Sequence, residues 1–140
     1  MNQRWCVEQM INPGQHVVVH SSSPSGKYAA FFEDDGEVGY FYALSASANE
    51  RKVLDAVQVY VVQEIRRQPI VLRIVWSTDG RKCALALDGR FHALFDFASR
   101  TGKCRSGFPP PHDEWAADGR EWDDELLNGL GPVEGASDAM

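Results

Sequence analysis

Short runs in which apolar and polar residues alternate, separated by tight-turn signals, make up most of this chain. The pattern is clearest in residues 70–97, where three such runs are joined at Asp79-Gly80 and Asp88-Gly89. Both residue types tolerate the positive φ of a tight hairpin, so each dipeptide is a strong turn signal. The pattern therefore predicts three antiparallel strands joined by two hairpin turns.

The first part of the chain carries further runs that are typical of strands. They span residues 4–10, 16–20, 27–33 and 37–44. The last two predict a hairpin closed at Asp34-Asp35-Gly36, because their many aromatic residues favour a pleated, half-buried surface.

Residues 53–65 fit two different structures. Apolar residues at positions 53, 56, 57, 60 and 61 would share one helical face, and Ser47 with Glu50 would form a capping box. However, five valines fall within residues 53–62, and β-branched side chains favour strands. We predict a strand over residues 54–62; the alternative is an α+β fold in which residues 47–65 are helical.

The sequence changes character after Ser99. Residues 102–107 are typical of a loop, and the three prolines after Phe108 favour an extended polyproline II segment. Trp115 and Trp122 are spaced so that they would anchor an irregular arm on the sheet. Residues 123–128 predict a short helix, since acidic residues are favoured at a helix N-terminus.

Together these segments predict a mainly β protein. We expect an antiparallel, meander-rich sandwich or roll of about seven strands, with a proline-linked C-terminal arm and a short helix. A length of 140 residues is enough for one domain with its own core. We place this domain at residues 1–130, with the arm beginning near residue 104 and a disordered tail at residues 131–140.

The net charge of −6 is concentrated at the C-terminal end. Residues 112–140 hold nine acidic residues against Arg120 alone, whereas residues 1–111 have a small excess of positive charge. Nucleic-acid binding needs a basic face, so this distribution argues against it. It is typical of a solvated tail or of a surface for a basic protein partner.

Several features predict the compartment and the assembly. No apolar run reaches the ~18–20 residues that span a bilayer, so we expect no membrane segment. Residues 1–8 lack the layout of a signal peptide, and Cys6, Cys83 and Cys104 have no paired spacing. Both observations predict a cytoplasmic protein with free thiols. Exposed sheet edges would also permit a homodimer.

His92, Asp96 and Cys104 are the candidate catalytic residues. Strand alternation places His92 and Asp96 on one face, and Cys104 follows soon after, which would suit a thiol nucleophile with an imidazole base. Such a triad is recognised by geometry rather than by sequence proximity, and the simpler interpretation is that His92 and Asp96 hold the nearby loop. Cysteine and histidine are the usual ligands of zinc, but the candidates lack the paired spacing of a zinc site. These candidates are Cys83, Cys104, His92 and His112. We therefore predict no metal and no cofactor.

The acidic arm carries the candidate binding residues. They are Glu121, Trp122, Asp123 and Asp124, with Trp115 nearby. A tryptophan flanked by acidic residues suits recognition of a basic groove, since Trp often anchors interfaces. The alternative is that Trp122 packs back on the sheet while the acidic side chains stay in water.

Several blocks of residues carry a resemblance to a known family. They lie at residues 32–37, 39–44, 75–77 with Asp79-Gly80, 92–97, 104–105, 108–111 and 119–124, and the Phe-Pro-Pro-Pro and Glu-Trp-Asp-Asp blocks are distinctive. With these blocks the chain resembles, over residues 14–127, a bacterial family known as a domain of unknown function. The resemblance implies a small stand-alone bacterial protein and brings no activity with it.

Two classes of function fit these observations. The first is a small cytoplasmic binding module without catalysis, whose acidic arm meets a protein partner. A toxin-neutralising immunity protein is one form of it, because such proteins are small, acidic and free of catalytic motifs. The second is a small-molecule binding protein or a hydrolase-type enzyme that uses Cys104, His92 and Asp96. An enzyme would need a reactive Cys104 thiolate, whereas a binding module would leave all three thiols inert.

Overall fold

Nine β-strands in two sheets form the described part of the chain. The computed structural model describes residues 6–47, 50–111, 115–116, 119–128 and 130. The strands are β1 (Cys6–Ile11), β2 (Val17–Ser22), β3 (Tyr28–Asp34), β4 (Val38–Ser47), β5 (Glu50–Val61), β6 (Ile70–Trp76), β7 (Lys82–Leu87), β8 (Arg90–Asp96) and β9 (Thr101–Cys104). Two 3₁₀ turns, Val62–Glu64 and Asp124–Leu127, complete the regular structure of these residues.

The strands form an antiparallel sandwich. One sheet has the order β1-β6-β7-β8-β9 and the other has the order β2-β3-β4-β5. The predicted mainly β fold is confirmed, including the meander β6-β7-β8. Its turns use the expected positive φ angles, 76° at Gly80 and 50° and 84° at Asp88 and Gly89.

Two details of the prediction are wrong. The helical alternative for residues 47–65 fails because β5 pairs with β4 along its length, so Ser47 and Glu50 lie in strands and not at the start of a helix. The expected loop at residues 102–107 begins instead with β9, which pairs with β8. Gly102 is required in this strand because a Cβ there would clash with the Asp55 carboxylate. The predicted tail at residues 131–140 lies outside the described residues.

The inner faces of the two sheets enclose the main core. Phe41 of one sheet stacks on Phe95 of the other with ring centroids 5.0 Å apart. The Trp76 indole N–H donates to Ser21 Oγ across the sandwich at 2.8 Å, so its polar edge is satisfied inside the core. Apolar alternation along each strand therefore determines which face is buried.

The central strand of the five-stranded sheet is buried on both faces. Cys83 and Leu85 of β7 face the main core, whereas Ala84 and Ala86 belong to a second apolar cluster. Leu130 of the C-terminal arm belongs to this second cluster, and three further arm residues pack against it: Trp122, Leu126 and Leu127. The arm thus covers the outer face of this sheet.

On its way, the arm closes one side of the sandwich. The Gln58 N–H of edge strand β5 donates to the Phe108 carbonyl at 2.8 Å. On the neighbouring edge strand β9, the Cys104 N–H donates to the Arg120 carbonyl at 3.3 Å. In an open edge strand these backbone groups would instead form hydrogen bonds with water or with another chain.

A buried ion pair holds the arm in place. Both terminal nitrogens of Arg120 donate to Asp55, at 2.9 Å and 2.8 Å, and the two side chains are only 2% and 1% exposed. The same guanidinium donates to the carbonyls of Gly102, at 3.0 Å, and Pro109, at 2.5 Å. Arg120 therefore joins the arm to β5, to β9 and to the proline segment.

Removing either partner of this pair should be costly. We expect Arg120→Met and Asp55→Asn each to lower the free energy of unfolding by about 3–5 kcal/mol, because each removes one partner of a buried, hydrogen-bonded ion pair. In the double variant the total loss should fall well short of the sum, since the two effects share one interaction. Urea unfolding of the four proteins measures these values.

The matched control is the pair of Glu8 and Arg73, whose charged groups lie 2.8 Å apart and in which Glu8 is exposed. Glu8→Gln should change the free energy of unfolding by less than about 1 kcal/mol. Strictly additive losses for Arg120→Met and Asp55→Asn would show that the two side chains do not depend on one another.

Candidate functional site

The structure does not assemble the candidate catalytic triad. Cys104 is 1% exposed, and its thiol donates to the Phe108 carbonyl at 3.7 Å, with Ser106 Oγ at 3.4 Å. Asp96 accepts from the backbone of Ala98 and Ser99 and lies 3.5 Å from the Arg81 guanidinium. None of the hydrogen bonds among the described residues joins Cys104 or Asp96 to the imidazole of His92.

The expectation that His92 and Asp96 share a face is wrong. The pairing of β8 with β7 shifts between Ala93 and Phe91, so His92 is an extra residue in the strand. This bulge places His92 beside Val59 and Tyr60, in the lining of a cavity at one end of the sandwich. Burial, together with nearby Arg105 and Arg90, lowers the pKa of His92 to about 4. The imidazole is therefore neutral at neutral pH.

The candidate zinc ligands are also separated. Cys83 is fully buried in the main core, and burial raises the pKa of its thiol well above 9.0. His112 lies outside the described residues. Within residues that the structure describes, no three His, Cys, Asp or Glu side chains come together as a metal site would require.

The two tryptophans of the arm serve as anchors. Trp115 is 5% exposed and meets Phe95 and Phe97 edge-on, with centroids 6.2 Å and 5.7 Å away. Trp122 packs on the outer face of the five-stranded sheet, and its indole N–H donates to Asp124 at 2.9 Å. The Arg105 guanidinium lies 5.0 Å from its ring centroid. Both the ring and the indole N–H of Trp122 therefore make contacts within the chain.

The acidic side chains of the arm remain at the surface. Glu121, Asp123, Asp124 and Glu125 are all exposed. Asp123 also caps the 3₁₀ turn, because its carboxylate accepts from the Glu125 N–H at 2.9 Å. These residues give the arm a negative outer surface.

A second surface, which sequence reasoning missed, lies on the outer face of the four-stranded sheet. We call it the open face and define it by Phe31, Tyr40 and Tyr42. Phe31 and Tyr42 are cross-strand partners whose rings stack 4.3 Å apart, and Tyr40 lies 6.0 Å from Tyr42. All three side chains are half-buried, so each keeps part of its ring in contact with water.

Other exposed apolar groups lie on the strands of this sheet or beside its edge. Val18 of β2 and Val53 of β5 are 51% and 52% exposed. Phe108, whose carbonyl accepts from Gln58 of edge strand β5, is 47% exposed. The sequence signal for this surface was the aromatic content of β3 and β4, which predicts a strand pair but does not say which rings face outward.

Carboxylates border the open face on one side. Glu33 lies directly across from Tyr40 in the β3–β4 ladder, and Asp35 and Glu37 follow in the turn. Burial, and to a smaller degree the negative charge of Glu33, raises the pKa of Tyr42 above 10.0. The His16 imidazole lies 2.9 Å from Glu33. The open face is therefore aromatic at its centre and acidic at this border.

A buried carboxylate fixes the turn that carries these acids. Asp34 is fully buried and accepts from Gly36 N–H at 2.7 Å, Gly14 N–H at 2.9 Å and the Tyr60 hydroxyl at 2.6 Å. Burial and this last hydrogen bond raise the pKa of Tyr60 well above 10.0. Because three donors converge on Asp34, the turn beside the open face has a defined position.

The titration of His92 should make stability depend on pH. The folded protein lowers its pKa from 6.5 to about 4, so the unfolded chain binds more protons between these values. The contribution of His92 to the free energy of unfolding is therefore complete above pH 6.5, and it is lost as the pH falls towards 4. Allowing for partial exposure of the ring, we expect His92→Gln to reduce the stability loss between pH 7 and 4.5 by on the order of 1–2 kcal/mol. Parallel pH-dependent losses in both proteins, by urea unfolding, would contradict this assignment.

The burial of two cysteines should determine thiol reactivity. In the native protein we expect iodoacetamide to leave Cys83 and Cys104 unmodified and to reach the half-buried Cys6 first, because alkylation needs an accessible thiolate. Peptide mass spectrometry after timed labelling measures each site, with a urea-unfolded sample as the control. Rapid native labelling of Cys104 would contradict this expectation and restore it as a candidate nucleophile.

Comparisons with known proteins give the family. The sequence profile of a family described as "Uncharacterized protein conserved in bacteria (DUF2251)" matches residues 11–130. A protein of Haemophilus influenzae with the name "Uncharacterized protein" is 38% identical over 86 residues, which are 60% of this chain and 53% of the relative. The chain therefore spans about half the length of this curated relative, and no solved structure matches it.

Among described residues, no helix is long and apolar enough to cross a membrane. The profile match confirms the resemblance seen in the sequence blocks, and the chain belongs to the bacterial DUF2251 family.

Proposed function

We propose that this protein is a non-catalytic protein-binding module and that the open face binds a basic segment of its partner. One observation carries the proposal. The arm of the chain covers the outer face of the five-stranded sheet, whereas the aromatic outer face of the other sheet keeps half-exposed rings and strongly exposed valines. Clustered exposed apolar side chains of this kind are typical of interaction sites.

The chemistry of the open face favours a basic partner. The rings of Phe31, Tyr40 and Tyr42 offer both apolar contact area and partial negative charge on their faces, which attracts Lys and Arg side chains. Glu33, with the acidic turn beside it, adds complementary charge that would speed association. The net charge of −6 acts in the same direction.

The acidic arm is a second candidate surface. Its carboxylates are exposed, as an arm that meets a basic partner requires. However, Trp122 packs on the sheet and donates its indole N–H to Asp124, so the arm offers charge with little aromatic surface. We therefore rank the open face first. An immunity protein that neutralises a basic toxin remains one form of the proposal.

Polar replacement of the open face should abolish partner capture. We expect Phe31→Ser/Tyr42→Ser to remove a protein that the wild type retains from lysate of the bacterium that encodes it, and Glu33→Gln to weaken retention at least about three-fold. Retention should also fall as salt rises from 50 to 500 mM, since charge contributes to it. Affinity chromatography with quantitative mass spectrometry measures both effects.

Two control variants separate the outcomes. Met10→Ser replaces a side chain that is 61% exposed on the other sheet and should leave capture unchanged. Glu121→Gln/Glu125→Gln tests the arm. Loss of capture with the arm variant alone would overturn the assignment to the open face. Absence of any stoichiometric partner of the wild type, with all variants folded by circular dichroism, would overturn the binding-module proposal.

A further inference from the structure

A cavity of about 280 Å³ opens at one end of the sandwich, and none of Phe31, Tyr40 and Tyr42 belongs to its lining. It lies where β5 ends, β6 begins and the β7–β8 turn reverses the chain. Its apolar wall consists of Val59, Ile65, Ile70 and Leu87. Its polar wall consists of Tyr60, Arg66, Gln68, Asp88 and His92.

We propose that this cavity binds a small carboxylate with a short apolar chain. Ligand pockets combine apolar walls with a few polar groups that orient the ligand, and this cavity has that arrangement. Its volume is just below the usual range of about 300–1,000 Å³, so the ligand is smaller than a typical drug molecule. The proposal concerns a different surface from the open face and does not rest on the proposed function.

The charge around the cavity selects the carboxylate. Arg66 belongs to the lining, and within the described part of the chain neither Arg66 nor nearby Arg90 has an ion-pair partner. Asp88 is the one carboxylate among these described lining residues. One of its oxygens already accepts a hydrogen bond from the Val71 N–H at 2.8 Å. A ligand carboxylate would gain a charge-assisted hydrogen bond from the Arg66 guanidinium.

The bulge in β8 supplies the second polar contact. Because His92 is an extra residue in the strand, it belongs to the cavity lining rather than to the outer face that carries Asp96. A neutral imidazole still has one N–H to donate, and it can bind a carboxylate without needing a charge of its own. The geometry thus assigns His92 and Arg66 to the ligand carboxylate and the four aliphatic residues to its chain.

The test is an NMR titration of the full chain with hexanoate. We expect saturable shifts of the methyl signals of Ile65, Ile70 and Leu87 and of the His92 ring. Hexanamide, which has the same chain without the charge, should bind about ten-fold more weakly. Absence of saturable shifts at tens of millimolar hexanoate, or equal binding of hexanamide, would overturn the proposal.

Neighbouring arginines provide a matched pair of variants. Arg66 and Arg67 are both exposed, but only Arg66 is among these lining residues, so folding should survive either replacement. We expect Arg66→Gln to weaken hexanoate binding about ten-fold and Arg67→Gln to change it less than about two-fold. Equal effects of the two variants would mean that general positive charge, not this cavity, attracts the ligand, and would also overturn the proposal.

Discussion

The buried pair of Arg120 and Asp55 is the constraint on which the C-terminal half of the structure depends. Two charges removed from water this completely are tolerated only when they meet in good geometry with their remaining hydrogen bonds satisfied. Arg120 satisfies this condition with two bonds to Asp55 and one each to Gly102 and Pro109. A different path of the arm would remove the Arg120 guanidinium from Asp55. The pair therefore selects one route for the arm, and the cover of the five-stranded sheet follows from it.

Because of that route, the described residues of the arm cover the outer face of one sheet but not that of the other. The five-stranded sheet is covered on both faces, which is why β7 carries Cys-Ala-Leu-Ala-Leu without polar alternation. The four-stranded sheet keeps an outer face of its own, and there the alternation persists in the form Tyr40-Phe41-Tyr42. Phe41 is in the core, while the flanking tyrosines are half-buried. The arm thus covers one sheet, while the outer face of the other sheet keeps these aromatic side chains partly exposed.

Local signals were enough to predict the meander, the β3–β4 hairpin and the strand character of β5, because turn chemistry and β-branched side chains act over a few residues. They could not predict β9, since Gly102 is demanded by Asp55 from a distant part of the chain. They also misplaced His92, because a bulge depends on the pairing of two strands and shifts every later side chain by one position. The open face was missed for a related reason. Phe31 and Phe32 are adjacent aromatics, and only tertiary packing decides which one enters the core.

The composition of the open face also bears on what can bind there. Exposed aromatic rings on a sheet would favour association of identical copies, but two copies meeting at this face would bring their Glu33 side chains and acidic turns towards one another. Like charges brought together in a partly desolvated interface cost several kcal/mol. A partner with the opposite charge gains from the same carboxylates. The acidic border therefore discourages self-association through the open face while it favours a basic partner, and a homodimer would have to use another surface, such as the edges of β1 and β2.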